Sequence, residues 1–258
     1  MEILRKLKRA ASKPGYYVDH YAHLCRRAIN DKRLQRLKGI HIGKTAVLIG
    51  NGPSVKIEDL ELLSGYITFT CNRFHLCYEN TMFRPNYNLI SDPQMIEDFG
   101  EDIIDHCECD AFVSWENDPK IKASYTYIRQ RYDLPLFSDP LLGINPSGAT
   151  LLFGMQIAYY MGIKDFALYG VDHSFSFDAD PDAKQLRRSA SGDNNHFIKN
   201  YRSGKNWCPP HYENIEQGFL QSSNLLAEYG GSLVNISRES MLPNVLRVDF
   251  DDFIHAAK

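Results

Sequence analysis

The 258-residue sequence predicts an α/β protein with a mainly parallel sheet, and three features lead to that prediction. Short apolar runs rich in β-branched and aromatic residues recur along the chain, as expected for buried strands. Helical patterns separate several of these runs, which is the alternation that βαβ units require. Polar or glycine-rich groups follow successive strands, and the carboxyl ends of parallel strands share the sheet edge where ligands bind.

The first predicted strand, Ala46–Ile49, runs into a tight turn with the sequence G-N-G-P-S. Its glycines, Gly50 and Gly52, allow a sharp bend and a close approach of the backbone to a ligand. Asn51 offers an amide, and Ser54 offers a hydroxyl that can cap the following helix. The turn is neither the six-position dinucleotide fingerprint nor a P-loop. It predicts a nucleotide site, because free N–H groups point outward where a strand ends and a helix begins.

Two further predicted strands end in the same way. Tyr66–Cys71 alternates like a strand and is followed by Asn72 and Arg73, and residues 84–93 place Asp92 at the exit of the next strand. Three successive strands therefore present polar side chains at one predicted edge of the sheet, and we expect these side chains to contact the nucleotide.

A second ligand-facing helix start is predicted near residue 150. Ser147 and Gly148 precede the strongly apolar helix Leu151–Met161, where serine can cap the helix and glycine permits close approach. A buried strand, Phe166–Gly170, follows after a short link, which is the pattern of the second half of a βαβ unit.

The candidates for chemistry lie at the exit of that strand and in the segment beyond it. Asp172 and His173 follow the strand, and His196 lies within residues 176–210, which carry almost no apolar periodicity. A stretch of this length without regular structure is typically a functional lid or disordered. Either imidazole can take a proton from an attacking hydroxyl near neutral pH, while Asp172 can orient an imidazole or bind a sugar hydroxyl.

A metal site is the competing interpretation of these residues, because aspartate and histidine are both metal ligands. The sequence contains no H-x-x-x-H spacing, and we predict no metal ligand. Seven other histidines have no comparable context and are not predicted to act: His20, His23, His41, His75, His106, His211 and His255.

Charge and composition divide the chain into two predicted parts. Residues 1–43 form a helical, basic extension, and residues 44–258 form one Rossmann-like domain with a lid at about 176–210. The first 44 residues carry twelve basic and three acidic side chains, although the net charge of the chain is −3. Residues 1–38 could contact an anionic membrane surface, or could be a solvated lead-in or an oligomer contact.

The remaining composition limits partners and location. No apolar run is long enough to span a membrane, the N-terminus lacks a signal-peptide core, and the six cysteines have no disulfide or zinc spacing. We therefore expect a cytoplasmic protein, either free or membrane-associated, that forms a homo-oligomer or acts alone. The acidic body offers no basic stripe, so nucleic acid is not an expected partner.

Taken together, six motifs resemble those of the bacterial family-42 sialyltransferases. They are still more similar to a related family that includes the MptE-like 6-hydroxymethylpterin diphosphokinases and the flagellin-modifying motility accessory factors. The resemblance spans roughly residues 45–240, and its motifs are G-N-G-P-S at 50–54, C-N-R-F at 71–74, S-D-P at 91–93, N-P-S-G-A at 145–149, L-Y-G-V-D at 168–172 and N-N-H-F at 194–197.

The resemblance implies roles for individual positions. Asn51 and Asn72 would contact the nucleotide and its phosphate, and Asp92 would lie on the acceptor side. Ser147 and Gly148 would contact the donor. The sialyltransferases use a CMP-activated sugar, need no metal and invert the anomeric centre with a histidine base.

Several positions depart from the family pattern. By the resemblance, Asp172 would lie near the cytidine ribose or base. Asn200, however, stands at the position where the family has its catalytic histidine. Ser174 replaces a tyrosine, and Ile144 replaces an arginine. These departures imply a nucleotide-using transferase whose donor or acceptor differs from that of sialyl transfer.

The sequence therefore predicts a glycosyltransferase of bacterial surface polysaccharide or glycoconjugate biosynthesis. It would transfer sialic acid, another nonulosonate or a Kdo-type sugar from a CMP-activated donor to a glycan or lipid-linked acceptor, with inversion. His196 is the expected general base and His173 the alternative, and the CMP-sugar is a co-substrate without a further cofactor. Two other hypotheses stay open: a diphosphokinase that moves pyrophosphate from ATP with Mg²⁺ on Asp92 and Asp172, and a non-catalytic nucleotide-binding scaffold of an envelope-assembly complex.

Overall fold

The computed structural model describes residues 27–115, 125–176, 187–188, 194–202, 204–207 and 210–256. Within them, eight parallel strands form one sheet with helices on both faces, which confirms the predicted α/β, Rossmann-like fold. The strands are β1 (Thr45–Ile49), β2 (Ile67–Cys71), β3 (Tyr87–Ile90), β4 (Asp110–Ser114), β5 (Thr126–Ile128), β6 (Asp165–Tyr169), β9 (Ser232–Asn235) and β10 (Leu246–Arg247).

The order of these strands places a switch point beside β1. Strands β1 to β5 follow one another outward, and the chain then returns to place β6 on the other side of β1, giving the order β10-β9-β6-β1-β2-β3-β4-β5. Loops leaving β1 and β6 therefore diverge to opposite faces of the sheet and leave a crevice at its carboxyl edge. A separate antiparallel pair, β7 (Arg187–Arg188) and β8 (Asn206–Trp207), lies within the predicted lid.

Six helices and one 3-10 helix accompany the sheet in the described residues. They are α1 (27–37), α2 (Ile57–Leu62), α3 (Pro93–His106), α4 (Thr150–Tyr160), α5 (Tyr212–Glu228) and α6 (Phe250–Ala256), with the 3-10 helix at Phe74–Cys77. None of the described helices combines the length and the apolar character needed to cross a bilayer.

Helix α4 is the centre of one hydrophobic layer. Residues 151–158 are all buried, and the helix packs across β1, β2 and β3. A Cβ at Gly154 would lie 2.1 Å from a methyl carbon of Leu89 on β3, so glycine lets the helix approach the sheet closely. This packing fixes the start of α4 at the carboxyl edge, because the helix runs antiparallel to its strands in a βαβ unit.

Part of the predicted N-terminal extension belongs to the folded domain. The Asn30 side chain on α1 makes two hydrogen bonds to the backbone of the outermost strand, β5. Its amide nitrogen donates to the Tyr127 carbonyl (2.8 Å), and its oxygen accepts from the Tyr127 N–H (2.6 Å). Arg33 donates to the Tyr125 carbonyl (3.0 Å), and Leu34 is buried in the core. Helix α1 thereby covers the open edge of β5, which would otherwise expose unpaired backbone groups. Residues 1–26, the rest of the predicted extension, lie outside the described residues.

One buried ion pair links α2 to the segment after β9. Arg238 donates to both carboxylate oxygens of Asp59 (2.8 and 2.9 Å) and also pairs with Asp251, while the Tyr169 hydroxyl donates to Asp59 (2.6 Å). Burial raises the pKa of Asp59, but the hydrogen bonds from Arg238 and Tyr169 outweigh that effect and hold it below its usual value. Asp59 is therefore ionised in the folded protein at neutral pH.

Replacing Arg238 with methionine is expected to lower the free energy of unfolding by about 3 kcal/mol at pH 7, because it leaves Asp59 buried without its cation. The pKa of folded Asp59 lies below its unfolded value, so this stabilisation is present above pH 3.8 and disappears as the pH falls through the lowered folded pKa. Urea unfolding at several pH values tests this. Arg131→Met is the matched control, since the Arg131–Asp133 pair is exposed and we expect no measurable change. Equal losses in both variants would contradict the assignment.

Candidate functional site

A cavity of about 250 Å³ opens at the carboxyl edge of the sheet, between the ends of β1 and β6. Nine of the twelve sequence-predicted site residues line it, together with the first residues of α4 and the loop 194–202. The nine are Gly50, Asn51, Gly52, Asn72, Asp92, Gly148, Asp172, His173 and His196. The other three, Ser54, Arg73 and Ser147, contact protein groups around the cavity.

The glycine-rich turn after β1 is held against the end of β6. Gly50 N–H donates to the Tyr169 carbonyl (2.7 Å) and Gly52 N–H to the Gly170 carbonyl (3.0 Å). A Cβ at Gly50 would lie 2.3 Å from the Gly170 oxygen, so the glycine is required by the neighbouring strand exit. The expectation that free N–H groups of this turn bind a phosphate is therefore wrong for these two amides.

Asp172 closes the same turn from the β6 side. Its two carboxylate oxygens accept hydrogen bonds from Ser54, one from the hydroxyl and one from the backbone N–H (2.7 Å). Burial raises the pKa of Asp172, and the hydrogen bonds from Ser54 oppose that rise. Ser54 was predicted to cap the next helix, but α2 begins at Ile57 after Lys56 and has no side-chain cap. Asp172 thus holds the turn in place. The sequence analysis expected its carboxylate to orient an imidazole or bind a sugar hydroxyl, but both oxygens accept hydrogen bonds from Ser54.

Two asparagine residues, Asn51 and Asn72, line the cavity. Asn51 donates its amide nitrogen to the Cys71 carbonyl (3.1 Å) and to the Tyr201 hydroxyl (3.0 Å). Because a carbonyl can only accept, these bonds fix the orientation of the amide. Among the described residues, the buried side-chain oxygens of Asn51 and Asn72 have no hydrogen-bond partner. Both buried oxygens therefore keep an unused capacity to accept a hydrogen bond.

His173 is paired with a carboxylate that the sequence did not point to. Its Nε2 lies 2.9 Å from Oε1 of Glu216 on α5, and its ring packs edge-on against Tyr212 at 5.1 Å between centroids. His173 has a positive φ of 53°, which directs the buried side chain back toward α5. A carboxylate partner at Nε2 holds the proton there and leaves Nδ1 as the basic nitrogen.

His196 is positioned by the loop 194–202. Its ring stacks on Tyr201 with 3.9 Å between centroids and an interplanar angle of 14°. The loop is attached to the turn after β1, because the Phe197 N–H donates to the Asn51 carbonyl (3.0 Å) and Asn51 in turn holds the Tyr201 hydroxyl. Within the predicted lid, the loop 194–202 therefore forms one wall of the cavity.

Arg73, predicted to contact the nucleotide, instead supports this loop. Its guanidinium donates to the carbonyls of Asn200 (3.4 Å) and Tyr201 and pairs with Asp102 on α3 (2.8 Å). The side chain also lies over the ring of Phe99, 4.1 Å from its centroid. Arg73 is thus buried between α3 and the loop, and it acts on the cavity through the position of Tyr201.

The amino end of α4 faces the cavity without a cap. Ser147 was predicted to cap this helix, but α4 begins at Thr150 after Ala149 with no side-chain hydrogen bond at that position. Ser147 has a φ of 47° and donates its N–H and its hydroxyl to the Asn145 side-chain oxygen (3.1 and 3.3 Å). The first turn of α4 contains no acidic residue, and Gly148, Ala149, Thr150 and Leu151 line the cavity.

This helix end is suited to an anion. The first N–H groups of a helix have no partner within the helix, and the helix dipole adds a partial positive charge there. Arg202, which sequence reasoning missed, is fully buried and lines the same cavity. Asp92 lies at the cavity too, where one of its carboxylate oxygens caps α3 by accepting from the Gln94 N–H (2.9 Å).

The fold and the cavity together define an α/β protein with a cavity at the switch point of a parallel sheet, lined by the uncapped start of a helix and by the histidine of a His–Glu pair. The chain matches no family model, no curated protein and no solved structure.

Proposed function

We propose that this protein is an inverting glycosyltransferase of bacterial surface polysaccharide or glycoconjugate assembly that uses a CMP-activated acidic sugar of the nonulosonate or Kdo type. The observation that carries the proposal is the convergence on one cavity of the uncapped end of α4, two asparagine oxygens and the His173–Glu216 pair. The order of the six motifs, which resembles that of the family-42 sialyltransferases, supports CMP as the nucleotide.

The donor phosphate would lie at the start of α4. Thr150 and Leu151, the first two residues of α4, line the cavity, and so does the buried Arg202, whose guanidinium lies 3.8 Å from the Asp98 carboxylate. When the bond between the anomeric carbon and the phosphate oxygen breaks, the developing charge falls on that oxygen. Preorganised donors at this position are typically the largest contribution to lowering the barrier.

The acceptor hydroxyl would attack the anomeric carbon from the opposite side and transfer its proton to His173. The Glu216 carboxylate favours His173 over His196, because it fixes the tautomer and stabilises the imidazolium that forms. His196 stacks on Tyr201 and remains the alternative base. The unpartnered oxygens of Asn51 and Asn72 would accept from the ribose hydroxyls or the cytosine amino group.

Two partners are proposed: an acceptor, which the reaction requires, and an anionic membrane surface, which the basic face of α1 would contact. A glycan or a lipid-linked saccharide supplies the acceptor hydroxyl. On α1 the exposed face carries Lys32 and Arg36 beside Ile29, whose side chain is 54% exposed, which supports contact of residues 1–38 with anionic lipid at the cytoplasmic side of a membrane.

A diphosphokinase is the alternative activity, with Mg²⁺ on Asp92 and Asp172. The hydrogen bonds that Ser54 donates to the two oxygens of Asp172 weigh against it, since a metal would have to displace them. Loss of activity on addition of EDTA would favour this alternative. A nucleotide-binding scaffold without catalysis would bind CMP but release none from CMP-sugars even at high protein concentration.

A thermal-shift screen with CMP, CDP, UDP, GDP and ATP is expected to give a response to CMP. A ligand at a hundred times its Kd stabilises the native state by about 2.7 kcal/mol, which corresponds to roughly 5–10 °C in Tm for a chain of this size. A response to ATP with Mg²⁺ and none to CMP would contradict the proposed donor class.

A further inference from the structure

A second polar cluster lies outside the cavity, where the 3-10 helix 74–77 packs on α3. His75 Nε2 is 3.2 Å from one carboxylate oxygen of Asp102, and His106 Nδ1 is 3.3 Å from the other. One ligand atom from each of the three residues lies within 4.8 Å of those of the other two. The sequence analysis had found no context for His75 or His106, because the residues are separated along the chain and only the fold brings them together.

These separations fit a common metal ion. Zinc binds histidine nitrogen and carboxylate oxygen at about 2.0–2.2 Å in a tetrahedral arrangement, in which neighbouring ligand atoms lie about 3.3–3.5 Å apart. The separation of His106 Nδ1 from Oδ1 of Asp102 is close to that value, whereas the measured contact of His75 Nε2 is with Oδ2, the oxygen that also binds Arg73. Asp102 and His106 are four residues apart on α3 and so share one face of the helix, while His75 comes from a different element.

The cluster is supported on one side and accessible on the other. The side chain of His75 is buried, whereas that of His106 is 63% exposed. The two imidazole rings stack with 5.5 Å between centroids, so His106 lies over the buried histidine at the surface. An ion can therefore reach the three ligands from solvent, and water can complete its coordination. On binding, Nδ1 of His106 would release to solvent the proton that it donates to the Asp102 carbonyl (2.9 Å).

Arg73 sets the kind of ion that can bind. It donates to Oδ2 of Asp102 through two nitrogens (2.8 and 2.9 Å), which leaves Oδ1 beside His106 for a metal. A neighbouring positive charge opposes every cation, so the nitrogen ligands must supply most of the affinity. Imidazole suits zinc, cobalt, nickel and copper, whereas magnesium requires oxygen ligands in octahedral geometry.

We propose that His75, Asp102 and His106 form a binding site for a divalent transition metal of the zinc type, separate from the nucleotide cavity. The proposed metal site is next to Arg73, the residue that supports the loop 194–202. Asp102 accepts hydrogen bonds from Arg73, and Arg73 in turn donates to the carbonyls of Asn200 and Tyr201. Metal binding there does not depend on the proposed glycosyl transfer.

The test is a titration of the full chain with Co²⁺, which reports its ligands in the absorption spectrum. We expect binding at one site with visible bands of a low-symmetry nitrogen and oxygen ligand set and without a thiolate-to-metal charge-transfer band, although Cys107 lies next to His106. His106→Ala should weaken Co²⁺ binding at least tenfold, and Asp102→Asn should weaken it as well. Mg²⁺ at the same concentration should not displace the cobalt.

His255→Ala is the matched control. His255 Nδ1 contacts the Asp251 carbonyl (2.5 Å) four residues earlier on α6, as His106 Nδ1 contacts the Asp102 carbonyl (2.9 Å) on α3. The two pairs differ in one respect. Among the described residues, a third possible metal ligand, His75, lies beside Asp102 and His106, and none lies beside Asp251 and His255. Unchanged Co²⁺ affinity in His106→Ala, an equal loss in His255→Ala, a thiolate band in the spectrum, or no binding by the wild-type chain would each overturn the proposal.

Discussion

Replacing His173 with glutamine is expected to lower the rate of sugar transfer by about 10²–10⁴-fold, the usual contribution of a positioned general base. Glutamine keeps a polar side chain beside Glu216 but cannot take the proton of the acceptor hydroxyl. The measurement is release of CMP from CMP-sialic acid and CMP-Kdo in the presence of an acceptor, together with CMP affinity, which should not change. We expect the substitution to lower kcat and to leave the affinity for CMP unchanged.

Glu216→Gln is expected to lower turnover less than His173→Gln, because it removes the orientation and charge stabilisation of the imidazole but leaves the base. Its matched control is Glu213→Gln, an exposed position in the first turn of the same helix. Full activity in His173→Gln would exclude His173 as the base, and a loss confined to His196→Ala would reassign that role to His196.

Replacing Gly50 with alanine is expected to destabilise the fold by about 3 kcal/mol, at the upper end of the effect of overpacking in a core. The added Cβ would lie 2.3 Å from the backbone oxygen of Gly170, and backbone cannot move aside as a flexible side chain can. Separating β1 from the exit of β6 would also break the hydrogen bond from Gly50 to Tyr169. The free energy of urea unfolding measures the effect.

Gly65→Ala is the control for this substitution. A Cβ at Gly65 meets no atom within 4 Å, so we expect stability to be unchanged or slightly higher, by about 0.5 kcal/mol. Similar behaviour of the two variants would show that the approach of the two strand exits is not tight.

The positions of the strand ends could be predicted from the sequence, but their hydrogen-bond partners could not. Alternation and apolar runs locate β1, β2, β3 and β6, and the parallel arrangement then brings Asn51, Asn72 and Asp172 to one edge. Whether the N–H groups of Gly50 and Gly52 are free depends on β6, which lies more than a hundred residues further along the chain. Local patterns carry no information about that pairing.

Helix caps failed for the same reason. A serine before a helical pattern predicts an N-cap, yet Ser54 binds Asp172 and Ser147 binds the Asn145 side chain. The partner of Ser54 follows a strand exit distant in sequence, whereas the partner of Ser147 lies two residues earlier in the same loop. Serine hydroxyls bond equally well to such partners, so the choice is made by tertiary structure.

Residues that act across elements were missed altogether. Glu216 lies 43 positions after His173 on an ordinary amphipathic helix, and nothing in the sequence around it distinguishes it from the other glutamates. Arg202 lies in a stretch whose composition predicts only a lid. Asn30 lies in a segment whose charge suggests an appendage, although it pairs with the edge strand.

The affinity of CMP for Thr150→Pro, compared with Thr150→Ala, tests the proposed phosphate site at α4 most directly. Proline is well tolerated at the first position of a helix and follows here a residue in extended conformation, so it removes one N–H while keeping α4. A hydrogen bond to a charged group contributes about 1.5–3 kcal/mol, so Thr150→Pro should weaken CMP binding about tenfold to hundredfold and leave cytidine binding unchanged. Thr150→Ala, which keeps the N–H, should bind CMP like the wild type. Equal CMP affinity in the two variants, or none in the wild-type chain, would contradict the placement of a nucleotide phosphate at this cavity.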